Sequence, residues 1–247
     1  MLVCAARGGY ASLAKQFLDQ GAGVGRSLHL ACALQHEGVA RVLLEYGAKV
    51  NATDERNRTP LNHAATAGCP SLTKLLLENG AELDSEDRDS WTPLGHATYQ
   101  GHESVVRILL ENGAETDKKN NNRSPLWWAV LAGHEGVVSL LLDNGANINS
   151  RDEDDRAALI ECCESVPGGF NIIKFLLDNG ADVNGSNMFG QTPLYIAAEK
   201  GHLDVVQLLL EKGAAVDPVD TQGRTPLSFA AERGHLAVVQ SLLENGA

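Results

Sequence analysis

The sequence predicts an all-α solenoid of stacked helix–turn–helix repeats, and two observations carry that prediction. The first is a Thr-Pro-Leu or Ser-Pro-Leu tripeptide that recurs about every 33 residues, beginning at Thr59, Thr92, Ser124, Thr192 and Thr225. The second is a constant distance of 19 residues from the leucine of most copies to a later glycine, as from Leu61 to Gly80. A period of this length is typical of proteins whose repeats each stack on the next.

Degenerate copies fill the remaining gaps. Ala157-Ala158-Leu159 divides the long interval between Ser124 and Thr192, Arg26-Ser27-Leu28 precedes the first full copy, and Leu2 begins another. We therefore predict a single domain over residues 1–247 made of eight repeats. Their approximate bounds are 1–24, 25–53, 54–86, 87–118, 119–151, 152–186, 187–219 and 220–247.

Each part of a repeat has a physical role, as repeat 7 illustrates. Thr192 supplies a hydroxyl that caps the first helix, and Pro193 occupies the first helical position, where no N–H is needed. The small pair Ala197-Ala198 lets a neighbouring helix approach closely, and Gly201 ends the helix in a left-handed turn. A second apolar helix follows, and the polar residues before the next Thr-Pro predict a turn.

The pattern of residues 192–214 is Thr-Pro-Leu-x-x-Ala-Ala-x-x-Gly-His-x-x-Val-Val-x-x-Leu-Leu-x-x-Gly-Ala. This pattern resembles the ankyrin repeat, and the resemblance covers the whole chain. It implies paired antiparallel helices with β-turn fingers that project at about right angles. It also implies a concave groove, formed by fingers and first helices, that binds a protein or a peptide.

Composition excludes several classes of protein. The formal charge of −12 argues against nucleic-acid binding, and no apolar run approaches the ~20 residues of a membrane helix. The amino terminus does not resemble a secretory signal. Five cysteines without a C-x-x-C pair form a poor disulfide or zinc framework. We therefore expect a reducing compartment, cytoplasmic or nuclear, with no membrane or nucleic-acid partner.

No motif for catalysis appears in the sequence. The histidines that follow a glycine at one repeat position, among them His102 and His235, lie too far apart on successive repeats to share a zinc ion. No phosphate-binding loop and no nucleophile elbow occurs. We predict no catalytic, cofactor-binding or metal-binding residue, and therefore that the chain is not an enzyme and needs no cofactor.

Two places depart from the repeat. Ser27 follows Gly21 by only six positions, so we expect the finger between repeats 1 and 2 to be reduced to a tight turn. Repeat 6 lacks the Thr-Pro cap and has two extra residues around Val166-Pro167-Gly168-Gly169. We expect repeat 6 to form the least stable interface of the array, because the missing cap costs about 1 kcal/mol.

Partner-binding candidates are exposed residues that depart from the repeat. The residue before the Thr-Pro position faces the groove in the family, and in successive repeats this column reads Arg58, Trp91, Arg123, Arg156, Gln191 and Arg224, of which the first four are candidates. This column either binds an acidic segment, since arginine holds carboxylates with two hydrogen bonds, or pairs with the acidic fingers. The other candidates are Tyr99, Trp127, Trp128, Leu131, Met188 and Phe189. One of the two adjacent tryptophans is expected to replace a core residue.

These observations predict a protein–protein interaction scaffold, monomeric rather than homo-oligomeric, whose partner is a protein or peptide. The alternative is a regulatory or recognition arm of a larger multidomain enzyme or receptor. The first and last repeats motivate that alternative, because Met1 is expected within a first helix and Phe229 and Val239 resemble internal rather than terminal positions.

Overall fold

The structure, a computed structural model, describes residues 1–164 and 169–247 and confirms the predicted all-α repeat fold. Sixteen helices occur in this described part of the chain. They are α1 (Leu2–Gly8), α2 (Ala11–Asp19), α3 (Ser27–Ala33), α4 (Glu37–Glu45), α5 (Pro60–Thr66), α6 (Pro70–Glu78), α7 (Pro93–Tyr99), α8 (Glu103–Glu111), α9 (Pro125–Leu131), α10 (Glu135–Asp143), α11 (Ala158–Glu164), α12 (Phe170–Asp178), α13 (Pro193–Lys200), α14 (Leu203–Glu211), α15 (Pro226–Glu232) and α16 (Leu236–Glu244). The predicted insertion in repeat 6 falls mostly on residues 166–168, which lie outside the described residues.

The chain divides into two compact units. The first contains Met1–Asn121 and Ser139–Gly145, and the second contains Asn122–Val138 and Ala146–Ala247. In the first unit, α1, α3, α5 and α7 pack side by side in one layer, and α2, α4, α6 and α8 pack in another. In the second unit, α9, α11, α13 and α15 form one layer, and α12, α14 and α16 form the other. The predicted eight-repeat division of a single domain stays a prediction.

The predicted helix caps are confirmed. In each complete Thr/Ser-Pro-Leu copy the hydroxyl accepts a hydrogen bond from the backbone N–H three residues later. The capping residues are Thr59, Thr92, Ser124, Thr192 and Thr225. Because each cap satisfies a backbone donor that the helix leaves unpaired, it contributes about 1 kcal/mol.

Small and branched residues fill the space between stacked helices. Ala64 and Ala65 of α5 are fully buried, and so are Val105, Val106 and Leu109 of α8. Alanine lets the first helices pack closely, and burial of each larger side chain contributes about 1.5–3 kcal/mol. A single repeat has no second partner for these faces, so the core exists only between neighbours.

Most second helices end in an Asn-Gly pair. The Asn79 side chain donates a hydrogen bond from Nδ2 to the Leu75 carbonyl oxygen at 2.7 Å, and Gly80 follows with a φ of 81°. This left-handed conformation strains residues with a Cβ, so glycine fits it best. Repeats 4, 5, 6 and 8 repeat the arrangement at Asn112, Asn144, Asn179 and Asn245.

The finger between repeats 1 and 2 is reduced to a tight turn, as predicted. Residues 22–24 have no regular structure, and Gly25 has a φ of 49° directly before α3 begins at Ser27. Other fingers pair through their backbones. In the first unit the Arg88 N–H donates to the Arg56 carbonyl at 2.9 Å. No helix within the described ranges is long and apolar enough to cross a membrane.

Candidate partner-binding surfaces

Each finger is organised by an acidic or amide side chain at its start. In repeat 3, Asp54 Oδ1 accepts hydrogen bonds from the backbone N–H groups of Arg56 and Arg58 at 2.8 and 3.0 Å. Its Oδ2 accepts from Arg58 Nη2 at 2.9 Å and from His63 Nε2 at 3.0 Å. The carboxylate thus joins the finger to helix α5, and Arg58 lies paired within its own finger.

Burial works against the charged form of Asp54, but hydrogen bonds from the Arg58 and Arg56 backbone and from the His63 and Arg58 side chains outweigh it. The pKa of Asp54 is therefore held well below its ordinary value. Burial lowers the pKa of His63, and the contact with Asp54 offsets this only in part. The imidazole is consequently neutral at pH 7 and donates from Nε2.

Repeat 4 repeats this arrangement and adds an aromatic surface. Asp87 accepts from the Trp91 backbone N–H and from His96 Nε2, both at 2.9 Å. The Trp91 ring stacks on His96, with centroids 5.4 Å apart, and meets the Tyr99 ring edge-on at 5.6 Å. A Cβ at position 95 would lie 3.3 Å from the Trp91 ring, so the glycine there leaves room for the tryptophan.

The rings of this first-unit surface remain partly accessible. Tyr99 is 44% exposed, and Trp91 is half-buried. Burial lowers the pKa of His96, so Trp91 rests on a neutral ring. We call Trp91, His96 and Tyr99 the aromatic surface. The structure thus brings together two of the predicted residues, Trp91 and Tyr99, whose rings meet directly, and adds His96, which the sequence prediction did not include.

In the second unit, Arg123 lies on a tryptophan face. Its guanidinium carbon is 4.1 Å from the Trp127 ring centroid and 5.6 Å from that of Trp128. Arg123 Nε also lies 3.7 Å from Asp152 Oδ2. A guanidinium over an aromatic face gains about 0.5–2 kcal/mol. Both the ring and the carboxylate therefore hold Arg123 in place.

The two adjacent tryptophans have different environments. Trp127 is buried, whereas Trp128 is half-buried, and their rings meet edge-on with centroids 4.9 Å apart. The expectation that one tryptophan replaces a core residue is met by Trp127. Leu131, one turn beyond Trp127 on α9, is 41% exposed.

Arg156 lies among four carboxylates. Asp152 is 3.2 Å away, Asp154 3.4 Å, Glu161 3.6 Å and Glu164 3.8 Å. Burial raises the pKa of Glu161, Arg156 opposes that effect, and Glu164 adds to it. Arg156 alone cannot neutralise four carboxylates, although Arg123 also lies beside Asp152 and Lys200 lies 3.9 Å from Glu164.

Met188 and Phe189 lie at the tip of the finger of repeat 7, where the two residues are 56% and 52% exposed. The Met188 N–H donates to the Asp154 carbonyl at 3.0 Å, and the Phe189 carbonyl accepts from the Thr221 N–H at 2.9 Å. Because these bonds fix both backbones, the two apolar side chains stand on an ordered turn.

Two of the histidines that follow a glycine connect successive repeats. His102 Nε2 donates to the Thr66 carbonyl at 3.1 Å, and His235 Nε2 donates to the Glu199 carbonyl at 3.0 Å. Each joins one repeat to the preceding one. Within residues 1–164 and 169–247, no group of three histidine, cysteine, aspartate or glutamate side chains could hold a metal ion.

The finger carboxylates Asp54, Asp87 and Asp152 are the structural residues that the sequence prediction missed. A signal for them existed, because each acid lies four residues before the predicted column at Arg58, Trp91 and Arg156. That spacing is typical of a side chain that accepts hydrogen bonds from the backbone of its own turn.

Comparison with known proteins agrees with this geometry. A family model for ankyrin repeats, three copies long, matches residues 1–87, 68–152, 119–187 and 159–247. The crystal structure of the human ASB11 ankyrin repeat domain superposes with a TM-score of 0.78 at 30% identity, covering 89% of this chain and 97% of that one.

A curated relative matches over a much shorter stretch. The ADP-ribosylation factor GTPase-activating protein AGD1 of Arabidopsis thaliana is 58% identical over 36 residues. These residues are 15% of this chain and 4% of that protein. The family matches together extend from residue 1 to residue 247, so the chain belongs to the ankyrin repeat family.

Proposed function

We propose that this chain is a protein–protein interaction scaffold and that its partner, a protein or peptide, contacts the aromatic surface Trp91–His96–Tyr99. Ankyrin repeats are generally protein–protein interaction modules. The observation that carries the proposal is the stack of Trp91 on His96 beside the 44%-exposed Tyr99. Ordered aromatic rings with an accessible side bury a large area with little loss of side-chain entropy, which is typical of binding hot spots.

An acidic partner segment has less support from the arginine column. Arg58 is held by Asp54, and Arg156 lies among four carboxylates. Arg123 lies over Trp127 and beside Asp152. An acidic segment would compete with these internal carboxylates. We therefore place the aromatic contact first and keep acid recognition as a secondary part of the proposal.

The ankyrin fold is typically a non-catalytic interaction scaffold, and we propose the same role here. The buried cysteines fit that role. Burial raises the pKa of Cys162 to about 12, which keeps the thiol protonated and unreactive at neutral pH. We expect Cys162 and its neighbour Cys163 to act as small core residues.

A double variant of the aromatic surface tests the proposal. Wild type and Trp91→Ala/Tyr99→Ala would be used as baits, and captured proteins would be identified by mass spectrometry. The affinity of a purified captured partner for each form would then be measured by calorimetry. We expect the double variant to bind at least about tenfold more weakly.

The matched control is Tyr10→Ala, which removes an exposed ring from the first repeat. Circular dichroism would establish that each variant remains folded. Equal affinity of wild type and the folded double variant for every purified partner would contradict the aromatic contact. Met188→Ala/Phe189→Ala and Trp128→Ala/Leu131→Ala would then be compared next.

The second candidate is a regulatory or recognition arm of a larger enzyme or receptor. This candidate is supported by the match to 36 residues of AGD1, which is a GTPase-activating protein by its name. It predicts that the partner segment belongs to the same polypeptide. Cross-linking mass spectrometry of the protein isolated from its source cells would test this. Cross-links from the aromatic surface to other polypeptides alone would contradict it.

A further inference from the structure

The reduced finger between repeats 1 and 2 leaves a cavity in the first compact unit. The cavity has a volume of about 470 Å³, within the range of pockets that hold a small molecule or a large side chain. Val3 of α1 and Leu30 and Ala33 of α3 line it, with His29 and His63. Since no finger precedes α3, none covers the start of this helix.

The charged groups at the cavity neutralise one another. Arg26 Nη2 lies 2.5 Å from Glu55 Oε1, and Arg58 Nη2 lies 2.9 Å from Asp54 Oδ2. Both cations of the lining, Arg26 and Arg58, are therefore already paired, Arg58 with Asp54 in the lining and Arg26 with Glu55 outside it. An ionised group entering it would lose water without gaining an unpaired counter-ion.

The two imidazoles form an uncharged aromatic wall. His29 Nε2 donates to the Ala52 carbonyl at 2.8 Å, and His63 Nε2 donates to Asp54. The rings meet edge-on with centroids 5.7 Å apart. Burial lowers the pKa of both histidines, with Asp54 opposing and the rim arginines Arg26 and Arg58 adding to the effect. Both rings are therefore neutral at pH 7.

We propose that this cavity binds an uncharged aromatic side chain presented by a polypeptide partner, with Val3, Leu30 and Ala33 contacting the ring and the His29–His63 pair packing against it. The apolar lining favours burial of a ring, and the paired charges disfavour an ionised group. Aromatic rings also pack edge-on or offset against other rings, which a histidine wall permits. The proposal does not depend on the Trp91–His96–Tyr99 surface, because the two share no residue.

Binding of N-acetyl-tryptophanamide, an uncharged tryptophan with both ends blocked, tests the proposal on the full chain. The readout is the Cε1–H nuclear magnetic resonance signals of His29 and His63, assigned with His→Gln variants. We expect saturable shifts of these two signals with a Kd of about 0.1–1 mM. The absence of saturable shifts up to several times that concentration would overturn the proposal.

The titration of the histidines distinguishes the nature of the occupant. An uncharged ring removes water from His63, so its titration midpoint should fall when the probe is bound. N-acetyl-tryptophan, which carries a free carboxylate, should bind at least about tenfold more weakly, because no unpaired cation receives it. Stronger binding of the carboxylate probe, with a rise in the His63 midpoint, would overturn the uncharged-ring assignment.

Two variants locate the site. Ala33→Phe places a ring in the cavity from an exposed position of α3 and should abolish probe binding. Leu34→Phe adds a ring at the next residue, which does not line the cavity, and should leave the affinity unchanged. Equal probe affinity in the folded Ala33→Phe variant would place the probe elsewhere and overturn the proposal.

Discussion

The finger of repeat 3, in the first unit, and the finger of repeat 6, in the second, are organised by the same kind of hydrogen-bonded aspartate. They differ in one side chain of the helix that follows the finger. In both, an aspartate accepts backbone N–H groups and an arginine four residues later: Asp54 with Arg58, and Asp152 with Arg156. At the fifth position after the arginine, however, repeat 3 has His63 and repeat 6 has Glu161. His63 donates to Asp54, whereas ionised Glu161 cannot donate to Asp152.

The difference shows how one substitution changes the electrostatics of a whole finger. In repeat 3 the carboxylate has two side-chain donors, and the histidine is neutral. In repeat 6 Arg156 lies among Asp152, Asp154, Glu161 and Glu164, and the other nearby cations are Arg123, 3.7 Å from Asp152, and Lys200, 3.9 Å from Glu164. The Asp54 carboxylate is thus saturated with donors, whereas in repeat 6 Arg156 is the one residue among these cations that contacts all four carboxylates.

The largest expected effect follows from that dependence. Arg156→Ala should lower the free energy of unfolding by about 3 kcal/mol, because the buried Asp152 and the largely buried Glu161 lose their nearest cation. Arg58→Ala should cost only about 1 kcal/mol, since Asp54 keeps His63 and two backbone donors. Urea unfolding followed by circular dichroism measures both. Equal losses would contradict the contrast between the two fingers.

Hydrogen exchange tests the comparison at the level of helices. Repeat 6 has Ala157 where repeats 3, 4, 5, 7 and 8 have a capping hydroxyl, so we expect amides of α12 to exchange about tenfold faster than those of α8. Exchange measured by mass spectrometry at constant pH compares Ile172–Leu177 with Val105–Leu110. Equal protection of the two segments would show that the missing cap does not weaken repeat 6.

Removal of one negative charge should strengthen the repeat 6 finger. The pKa of Glu161 is raised, so the native state binds more protons than the unfolded state. Its stabilising contribution is therefore complete below the ordinary pKa of 4.5 and is lost as pH rises through the raised value. Glu161→Gln should gain about 0.5–1 kcal/mol at pH 7 and little at low pH.

Urea unfolding of wild type and Glu161→Gln at several pH values measures this gain. Glu153→Gln, a change at the exposed finger tip, serves as the control. A gain from Glu161→Gln that is independent of pH would show that charge crowding is not its cause.

The smallest expected effect is in repeat 3, where stability depends on pH in the direction opposite to that expected for Glu161. Because the pKa of His63 is lowered, its contribution to stability is complete above the ordinary pKa of 6.5 and is lost as pH falls through the lowered value. Wild type should therefore lose slightly more stability than His63→Gln between about pH 7.5 and pH 5. Parallel stability curves for the two proteins would contradict this assignment.

The sequence alone was sufficient to predict the repeated local structure. Thr59 caps α5, Pro60 begins this helix, and Gly68 has the expected left-handed conformation. These roles could be predicted because they depend on neighbours within a few residues. The short turn before Ser27 was also predicted from the spacing. Local conformational preference and a strict period determine these features together.

Contacts between distant residues could not be predicted in the same way. The bond from His63 to Asp54 and the stack of Trp91 on His96 depend on how a finger folds back over its helix. Similarly, the sequence did not distinguish Trp127 from Trp128, because adjacent helical positions differ in burial only once the neighbouring helices are in place. The cavity beside His29 lies next to the reduced finger, which the spacing predicted, yet its lining residues come from three repeats.

The Asn-Gly pairs that end the second helices have a consequence for chemical ageing. Asparagine before glycine loses ammonia when the glycine nitrogen attacks the side-chain carbonyl carbon and closes a five-membered imide. Here the Gly80 N–H donates to the Leu77 carbonyl at 3.0 Å, and the Asn79 amide is held by Leu75. Both the glycine N–H and the asparagine amide are therefore hydrogen-bonded, as they are in the other repeats that carry this pair. Deamidation at these sites therefore reports on transient opening of a helix end, and folded arrays should age more slowly than unfolded chains.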